Sequence, residues 1–193
     1  MKPLICLMIL LCLIFVCSLG WAEEIRWDDL VSAIVQVESG GNPNAVGKNG
    51  EIGLMQIHPD GALKEYSQWV KSNGGIVYAS LYEPSFNKEV GLWYLHRLHD
   101  HYLKSIVIIK NEAKDEFFIY NASEGEIGKK RRLPPTKLYR YNIRTAQNAQ
   151  IGLILSVYNA GPAKLRKAGY DINKMPDSTK AYIKKVMAIY NLS

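Results

Sequence analysis

The sequence predicts a single, mainly α-helical domain of the α+β type with one small β or irregular insertion. Four stretches place apolar residues at the spacing of one helix face, and two short β-prone patches lie between the second and the third stretch. Neither an internal repeat nor a low-complexity linker interrupts the chain. Residues 23–193 suit one compact domain with a hydrophobic core and are too few for two comfortable ones.

Residues 1–22 have the form of a secretory signal peptide. Lys2 is followed by an uninterrupted apolar run, and Ala22 supplies a small residue at a cleavage site ahead of a polar turn. The apolar run also approaches the length that spans a bilayer, so a retained membrane anchor is the alternative. We expect cleavage after Ala22, no stable membrane insertion afterwards, and one domain formed by residues 23–193.

The remainder of the chain has no cysteine chemistry and a modest positive charge. Cys6, Cys12 and Cys17 all lie in the expected signal peptide, so no disulfide is available to residues 23–193. The formal charge of +6 falls to +5 without Lys2. This charge suits a position beside an anionic wall or membrane, and it is also common in proteins that have no polyanionic partner.

The first predicted helix carries a carboxyl group at its end. Apolar residues recur over residues 27–37, and Gly40 predicts the left-handed turn that ends the helix. Glu38 follows Ile34 by four residues, so it lies on nearly the same side as a core residue. Desolvation and the negative end of the helix dipole would both raise its pKa, which suits a general acid. The alternative is a helix-terminal glutamate that extends into water.

The middle of the chain predicts a short apolar run, a second helix and then the insertion. The run at 52–57 ends at a Pro-Asp-Gly turn, and Asn87 is the expected cap of a helix that reaches about Leu103. The insertion, at about 104–142, contains the β-prone patches 106–109 and 117–120. We expect a hairpin and a mobile loop there.

Two further helices complete the predicted fold. One runs from Ile143 through Tyr158 and stops at a turn over residues 159–162, and the other opens at residues 176–178. The apolar residues of the last helix recur at helical spacing: Tyr182, Ile183, Val186, Met187 and Tyr190.

Two polar clusters each have a structural and a functional interpretation. His96, His99, Asp100 and His101 crowd the second helix; a solvated face is favoured over a metal site, because no distant Cys or carboxylate pairs with them. The basic run at 129–132 is favoured as a solvated loop, since no nucleic-acid motif interleaves it. We therefore expect no metal, no cofactor and no nucleic-acid partner.

Four segments occur in an order that narrows the functional class. They read ESGGNPNAV from Glu38, GLMQIHP from Gly53, SVYNAGP from Ser156 and STKAYIKKV from Ser178. Together they resemble the four signature segments of the lytic transglycosylases with the goose-type lysozyme-like fold, and the intervening FNKEVGLWYL also resembles the family pattern. The resemblance implies a lysozyme-like domain with a substrate cleft. The small size is similar to that of the specialised members that serve secretion systems, pili or flagella.

The resemblance implies a role for each matching residue. Glu38 matches the family's catalytic acid and base, and Tyr182 matches the tyrosine that hydrogen-bonds it. Met55 is favoured as a core residue on its type alone, although its segment matches the family's substrate-contacting wall. The expected substrate-binding set contains Met55, Gln56, His58, Tyr158, Asn159, Ala160, Gly161 and Tyr182.

The implied reaction needs one carboxyl group. Glu38 would protonate the oxygen between N-acetylmuramic acid and N-acetylglucosamine while the muramyl acetamide oxygen supports the sugar cation. The same side chain would then deprotonate the muramyl C6 hydroxyl, which closes a 1,6-anhydro ring without consuming water. The alternatives are a lysozyme-type hydrolase, for which Glu51 and Asp60 are the candidate second acids, and a non-catalytic peptidoglycan-binding assembly factor.

Three positions depart from the family pattern. Gly47 stands where serine is frequent, Glu51 where a small residue is more usual, and His58 where methionine is frequent. The insertion is also longer than the pattern leads us to expect. These departures affect the shape of the subsites more than the chemistry.

The expected partner is the peptidoglycan glycan strand, and the expected location is the periplasm or the cell wall. A secretion, pilus or flagellar assembly is a further candidate partner. The sequence leaves open whether cleavage is endo or exo.

Overall fold

The computed structural model has a mainly helical fold, as the sequence predicts, and it describes residues 25–103, 106–111, 116–121 and 146–192. For residues 102–103, 106–111, 116–121 and 146–147 the backbone alone is described. The expected signal peptide and the basic run at 129–132 lie outside the described residues.

The first helix, α1 at Trp27–Ser39, buries its apolar face and ends where the sequence predicts. Its buried residues are Leu30, Val31, Ala33 and Ile34. Gly40 has φ 61°, the left-handed conformation that glycine adopts without a steric penalty. The carboxyl group of Glu38 is therefore presented in the last turn of α1.

Two helices follow, α2 at Lys64–Ser72 and α3 at Pro84–Leu98. An irregular turn at Pro59–Leu63, in which Gly61 has non-helical backbone angles, precedes α2, and a π-helical turn at His99–Leu103 follows α3. The prediction that Asn87 caps α3 is wrong. Pro84 opens the helix, where its missing N–H is harmless, and Asn87 lies one turn inside it with 0% exposure.

The insertion contains the antiparallel strand pair that its sequence predicts. β1 spans Ile106–Asn111 and β2 spans Glu116–Asn121, and the register sets Ile106 opposite Asn121. Both β-prone patches fall inside these strands.

Three helices form the C-terminal part: α4 at Ala146–Ala160, α5 at Pro162–Lys167 and α6 at Asp177–Tyr190. A single 3-10 turn at Ile172–Lys174 precedes α6. Residues 151–157 of α4 are all buried, because α3, α5 and α6 all pack against this helix. The one hydroxyl group in that run, Ser156 Oγ, donates to the Gly152 carbonyl at 2.8 Å.

The packing of α1 against α6 brings the two ends of the described chain together. All five apolar residues predicted for α6 are buried. Arg26 donates from its guanidinium group to the Tyr190 carbonyl at 3.0 Å, and the guanidinium lies 4.8 Å from the centroid of the Tyr190 ring. In the part of the chain that the structure describes, no helix combines the length and the apolar character needed to cross a membrane.

Candidate active site

An open cleft of about 470 Å³ lies at the C-terminal end of α1. Five of the residues singled out from the sequence line it: Glu38, Gln56, His58, Tyr158 and Asn159. They come from α1, from the loop before α2 and from the end of α4. The cleft is as large as typical small-molecule sites, and its walls mix carboxyl, amide, imidazole and phenol groups.

Four predicted site residues lie outside the lining of this cleft. Ala160 and Gly161 end α4 just beyond Asn159, and Gly161 at φ 83° breaks the helix before Pro162. Tyr182 lies behind the cleft wall and is 8% exposed. The fourth of them is Met55.

The assignment of Met55 as a substrate contact is corrected by its burial. The side chain has 0% exposure and packs against Gly91 of α3, where an added Cβ would overlap the methionine sulfur. Its backbone alone serves the cleft, because the Met55 carbonyl accepts a hydrogen bond from the Tyr158 hydroxyl at 2.7 Å. Met55 is a core residue, as its residue type favours.

A buried amide holds the segment that forms one wall of the cleft. Asn87 accepts from the Met55 N–H at 2.8 Å and donates to the carbonyls of Ile52 and Leu81 at 2.9 and 2.8 Å. Gly53, at φ 78°, lies so close that an added Cβ would overlap the Asn87 amide. The family-like glycine at this position is therefore required by both backbone conformation and space.

Ser39 ties the end of α1 to the same segment. Its hydroxyl donates to the Leu54 carbonyl at 2.9 Å and accepts from the Gly41 N–H at 3.2 Å. The residue directly after Glu38 therefore fixes the carboxyl-bearing turn relative to the cleft wall. Ser39 lies outside the site residues expected from the sequence, although it is the second residue of the ESGGNPNAV segment.

Gln56 lines the cleft with its side-chain nitrogen already engaged. Nε2 donates to the carbonyls of Ala45 and Gly53 at 3.2 and 3.0 Å. The residue has φ 49°, an uncommon conformation for a residue with a Cβ. Only the amide oxygen is left for other contacts, so Gln56 can offer an acceptor rather than a full amide.

Burial raises the pKa of Glu38, as the sequence predicts. Desolvation of the carboxyl group is the largest cause, and the negative charge of Glu51 raises the pKa further. The Tyr182 hydroxyl, as a hydrogen-bond donor, acts in the opposite direction. A carboxyl group with this balance holds its proton to a higher pH than an exposed glutamate does.

Two tyrosines stand beside the Glu38 carboxyl group as protonated phenols. Burial and the proximity of Glu38 raise the pKa of both Tyr158 and Tyr182 well above the usual value. Among the described residues, the Tyr182 hydroxyl has no hydrogen-bond partner of ordinary geometry. The hydroxyl group is nevertheless close enough to Glu38 to lower the pKa of that carboxyl group.

The histidine cluster of the second predicted helix lies away from the cleft. The rings of His96 and His99 contact Trp27 with centroid distances of 4.2 and 5.8 Å, and His99 Nδ1 lies 2.9 Å from Asp100 Oδ1. Within residues 25–103, 106–111, 116–121 and 146–192, no group of three or more His, Cys, Asp or Glu side chains could hold a metal ion.

Tyr94 is a lining residue outside the substrate-binding set that is expected from the sequence. It extends from α3 into the cleft, and its ring centroid lies 6.1 Å from that of Tyr158. The FNKEVGLWYL segment contained the signal, because the segment resembles the family pattern through this residue.

Comparison with known proteins places this chain in a family. A family model described as the transglycosylase SLT domain matches residues 20–180. The chain therefore belongs to the transglycosylase SLT family, which confirms the family predicted from the sequence.

Named relatives agree with this assignment. The chain is 40% identical over 77 residues to the endo-type membrane-bound lytic murein transglycosylase A of Cronobacter sakazakii, covering 40% of this chain and 38% of that protein. It is 28% identical over 148 residues to the membrane-bound lytic murein transglycosylase C of Photorhabdus laumondii, covering 77% of this chain and 33% of that protein. The match spans less than half the length of either relative.

A solved structure shares the fold. The 70 kDa soluble lytic transglycosylase of Escherichia coli superposes with a TM-score of 0.52 at 22% identity, over 86% of this chain and 21% of that one. This likeness supports the lysozyme-like architecture.

Proposed function

We propose that this protein is a peptidoglycan lytic transglycosylase that cleaves the bond between N-acetylmuramic acid and N-acetylglucosamine. The observation that carries the proposal is a partly buried carboxyl group, Glu38, with a raised pKa, in the wall of an open cleft. The relatives named above are lytic murein transglycosylases, which supports murein as the polymer.

Glu38 acts first as the acid and then as the base. Its proton goes to the glycosidic oxygen, the bond from muramyl C1 to that oxygen breaks, and the muramyl acetamide oxygen supports the positive charge at C1. The Glu38 carboxylate then accepts the proton of the muramyl C6 hydroxyl, whose oxygen attacks C1 to form the 1,6-anhydro ring. The proton lost in the first half of the reaction is recovered in the second, so the step consumes no water.

The neighbours of Glu38 act on the position and the affinity of its proton. Tyr182 donates toward the carboxylate once that group is ionised, and Tyr158 holds the cleft wall through the Met55 carbonyl. Gln56 offers its amide oxygen as an acceptor, and Asn159 offers a side-chain amide, at the surface where N-acetyl groups would lie.

A hydrolase of the lysozyme type is the second candidate, because Glu51 lines the same cleft as Glu38. A second carboxylate in such a cleft could activate water. Digestion of purified peptidoglycan sacculi with the protein, followed by mass spectrometry of the soluble products, separates the candidates. We expect 1,6-anhydro ends; reducing ends would establish the hydrolase, and intact sacculi would indicate a binding protein.

The cell envelope is the proposed site of action, and residues 1–22 are proposed to direct export to it. Both rest on the apolar N-terminal segment and on relatives that are named as membrane-bound. Those relatives support a polymer substrate and give no support for an assembly partner.

A further inference from the structure

The cleft contains a second carboxylate that the proposed reaction does not use. Glu51 lines it together with Glu38, from the loop between the first helix and the buried wall segment. Antiparallel bridges on either side of Ile52, to Val46 and to Ile57, hold this loop.

Gly47 is what allows Glu51 to occupy this position. The Gly47 N–H donates to the Glu51 carbonyl at 2.7 Å, so the two residues face each other. A Cβ on residue 47 would overlap Glu51 Oε2 and would lie 2.7 Å from Gln56 Oε1. These two positions are also two of the places where the sequence departs from the family pattern. The absence of a Cβ at Gly47 therefore leaves room for the Glu51 carboxylate.

Asn49 fixes the carboxylate and keeps it ionised. Glu51 Oε2 accepts from the Asn49 N–H at 3.0 Å, and Oε1 accepts from Asn49 Nδ2 at 2.9 Å. These hydrogen bonds hold the pKa of Glu51 below its usual value. The two carboxyl groups of the cleft thus have pKa values displaced in opposite directions, which is the arrangement of paired acids in glycosidases.

We propose that Glu51 is a fixed anion in the cleft that stabilises the positive charge developing on the muramyl ring during cleavage. This inference rests on the proposed function. An oriented charge is effective because it need not reorganise as the transition state forms. Glu51 acts through its field: it forms no covalent bond, and the proton transfers stay with Glu38.

Other groups that face Glu38 set the background against which Glu51 acts. The phenols of Tyr182 in α6 and Tyr158 in α4 approach Glu38, and the Tyr94 ring in α3 lies against Tyr158. Two basic side chains, Lys48 and His58, line the same cleft. Neutralising Glu51 leaves all of these in place, so the change isolates one negative charge.

The test compares Glu51→Gln with Glu51→Asp in the full chain, using sacculi as substrate. Glutamine keeps an oxygen that can accept from Asn49 and removes the charge, whereas aspartate keeps the charge on a shorter side chain. We expect Glu51→Gln to lower kcat by about 10- to 100-fold and to move the alkaline limb of the pH–rate profile to lower pH. Glu51→Asp should restore the position of the limb. Asp60→Asn is the matched control, because Asp60 is the other acidic residue near the segment and is exposed.

A steric variant tests the role of Gly47 separately. Gly47→Ala should displace the Glu51 side chain and shift the profile in the same direction as Glu51→Gln. In a Glu51→Ala background the same change should cost less activity, because the atom that the new methyl group overlaps first is gone.

Each contrary outcome has a distinct meaning. If Glu51→Gln kept the wild-type kcat and an unmoved alkaline limb, the inference about Glu51 would be overturned. The proposed function would still stand if Glu38→Gln were inactive. Equal losses in Glu51→Gln and Glu51→Asp with no movement of the limb would make Glu51 a loop contact only. Reducing ends from the wild type would overturn both the lyase and the purely electrostatic role of Glu51. Wild-type activity in Glu38→Gln would overturn the proposed function itself.

Discussion

Replacement of Asn87 by alanine is the sharpest test of how the cleft wall is held. The amide is fully buried and bridges the wall segment, through Met55 and Ile52, to the Leu81 carbonyl ahead of α3. Alanine removes all three hydrogen bonds without adding a clash. We expect the variant to fold with much reduced stability and a loosened cleft.

The size of the effect depends on which groups keep another partner. The Ile52 carbonyl also accepts from the Ile57 N–H at 3.0 Å, so it remains bonded. The Met55 N–H and the Leu81 carbonyl lose the partner that the structure gives them. At about 1–3 kcal/mol for each buried group left unpaired, the free energy of unfolding should fall by about 2–6 kcal/mol. That is a large share of the roughly 5–15 kcal/mol that stabilises a typical domain.

Urea denaturation followed by circular dichroism measures this change. A loss of about 4 kcal/mol would also lower the Tm by roughly 8–16 °C for a domain of this size. Asn44→Ala is the control, because Asn44 is exposed and its loss should change stability by no more than about 0.5 kcal/mol. If Asn87→Ala were as stable as Asn44→Ala, the reasoning about the buried amide would be refuted.

Three further predictions concern the acid and its surroundings. Because the folded-state pKa of Glu38 is raised, the wild type loses stability as pH rises from about 4, where the unfolded carboxyl group ionises. Glu38→Gln should therefore have a higher Tm than the wild type, by a margin that grows toward neutral pH. A margin that stays constant with pH would contradict the raised pKa. Tyr182→Phe should move the alkaline limb of the pH–rate profile to higher pH, since the hydroxyl group lowers the pKa of Glu38. The Tm should stay unchanged or rise, because the lost hydroxyl group is buried without an ordinary partner among the described residues. An alkaline limb that moved to lower pH would be evidence against this. Gly53→Ala should lower the free energy of unfolding by about 2 kcal/mol or more, because residue 53 has a positive φ and an added Cβ overlaps the Asn87 amide. Gly74→Ala, at a similar φ but with open space around it, should lower it less in the same urea titration. Equal losses would exclude the overlap as a cause.

The long periodic segments were predictable because their pattern is local. The faces of α1 and α6 follow from residues three and four apart, and Gly40 marks the end of α1 through its own conformational freedom. The two strands of the insertion were predictable for the same reason, from β-prone residues in short runs.

The short helix α2 was missed because its stability is tertiary. Its nine residues follow a Pro-Asp-Gly sequence that normally marks a turn. The Tyr66 ring lies 5.9 Å from the Phe86 ring and 5.4 Å from the Trp93 ring, measured between centroids. Contacts of this kind with α3 stabilise a segment whose own pattern is too short to predict a helix.

The role of Asn87 was mistaken because a cap and a buried bridge draw on the same property. Asparagine is favoured at helix starts since its amide satisfies unpaired backbone groups. Here it satisfies those of Ile52 and Met55, which are more than 30 positions away. No local pattern specifies partners at that separation.

The candidate site was predictable in its acid and less so in its electrostatics. The position of Glu38 beside Ile34 on one helix face indicated burial and a raised pKa, and the structure agrees. The approach of Glu51 depends on the loop that brings it over Gly47, so the sequence suggested only that both positions were unusual.

The most direct test of the account is the rate at which Glu38→Gln releases 1,6-anhydro products from sacculi, measured against the wild type at equal protein concentration. Glutamine preserves the shape of the side chain and removes its proton, and melting curves confirm that the variant is folded. The account predicts a fall of about 10²- to 10⁴-fold, the range for loss of a general acid and base. Release at the wild-type rate would contradict it.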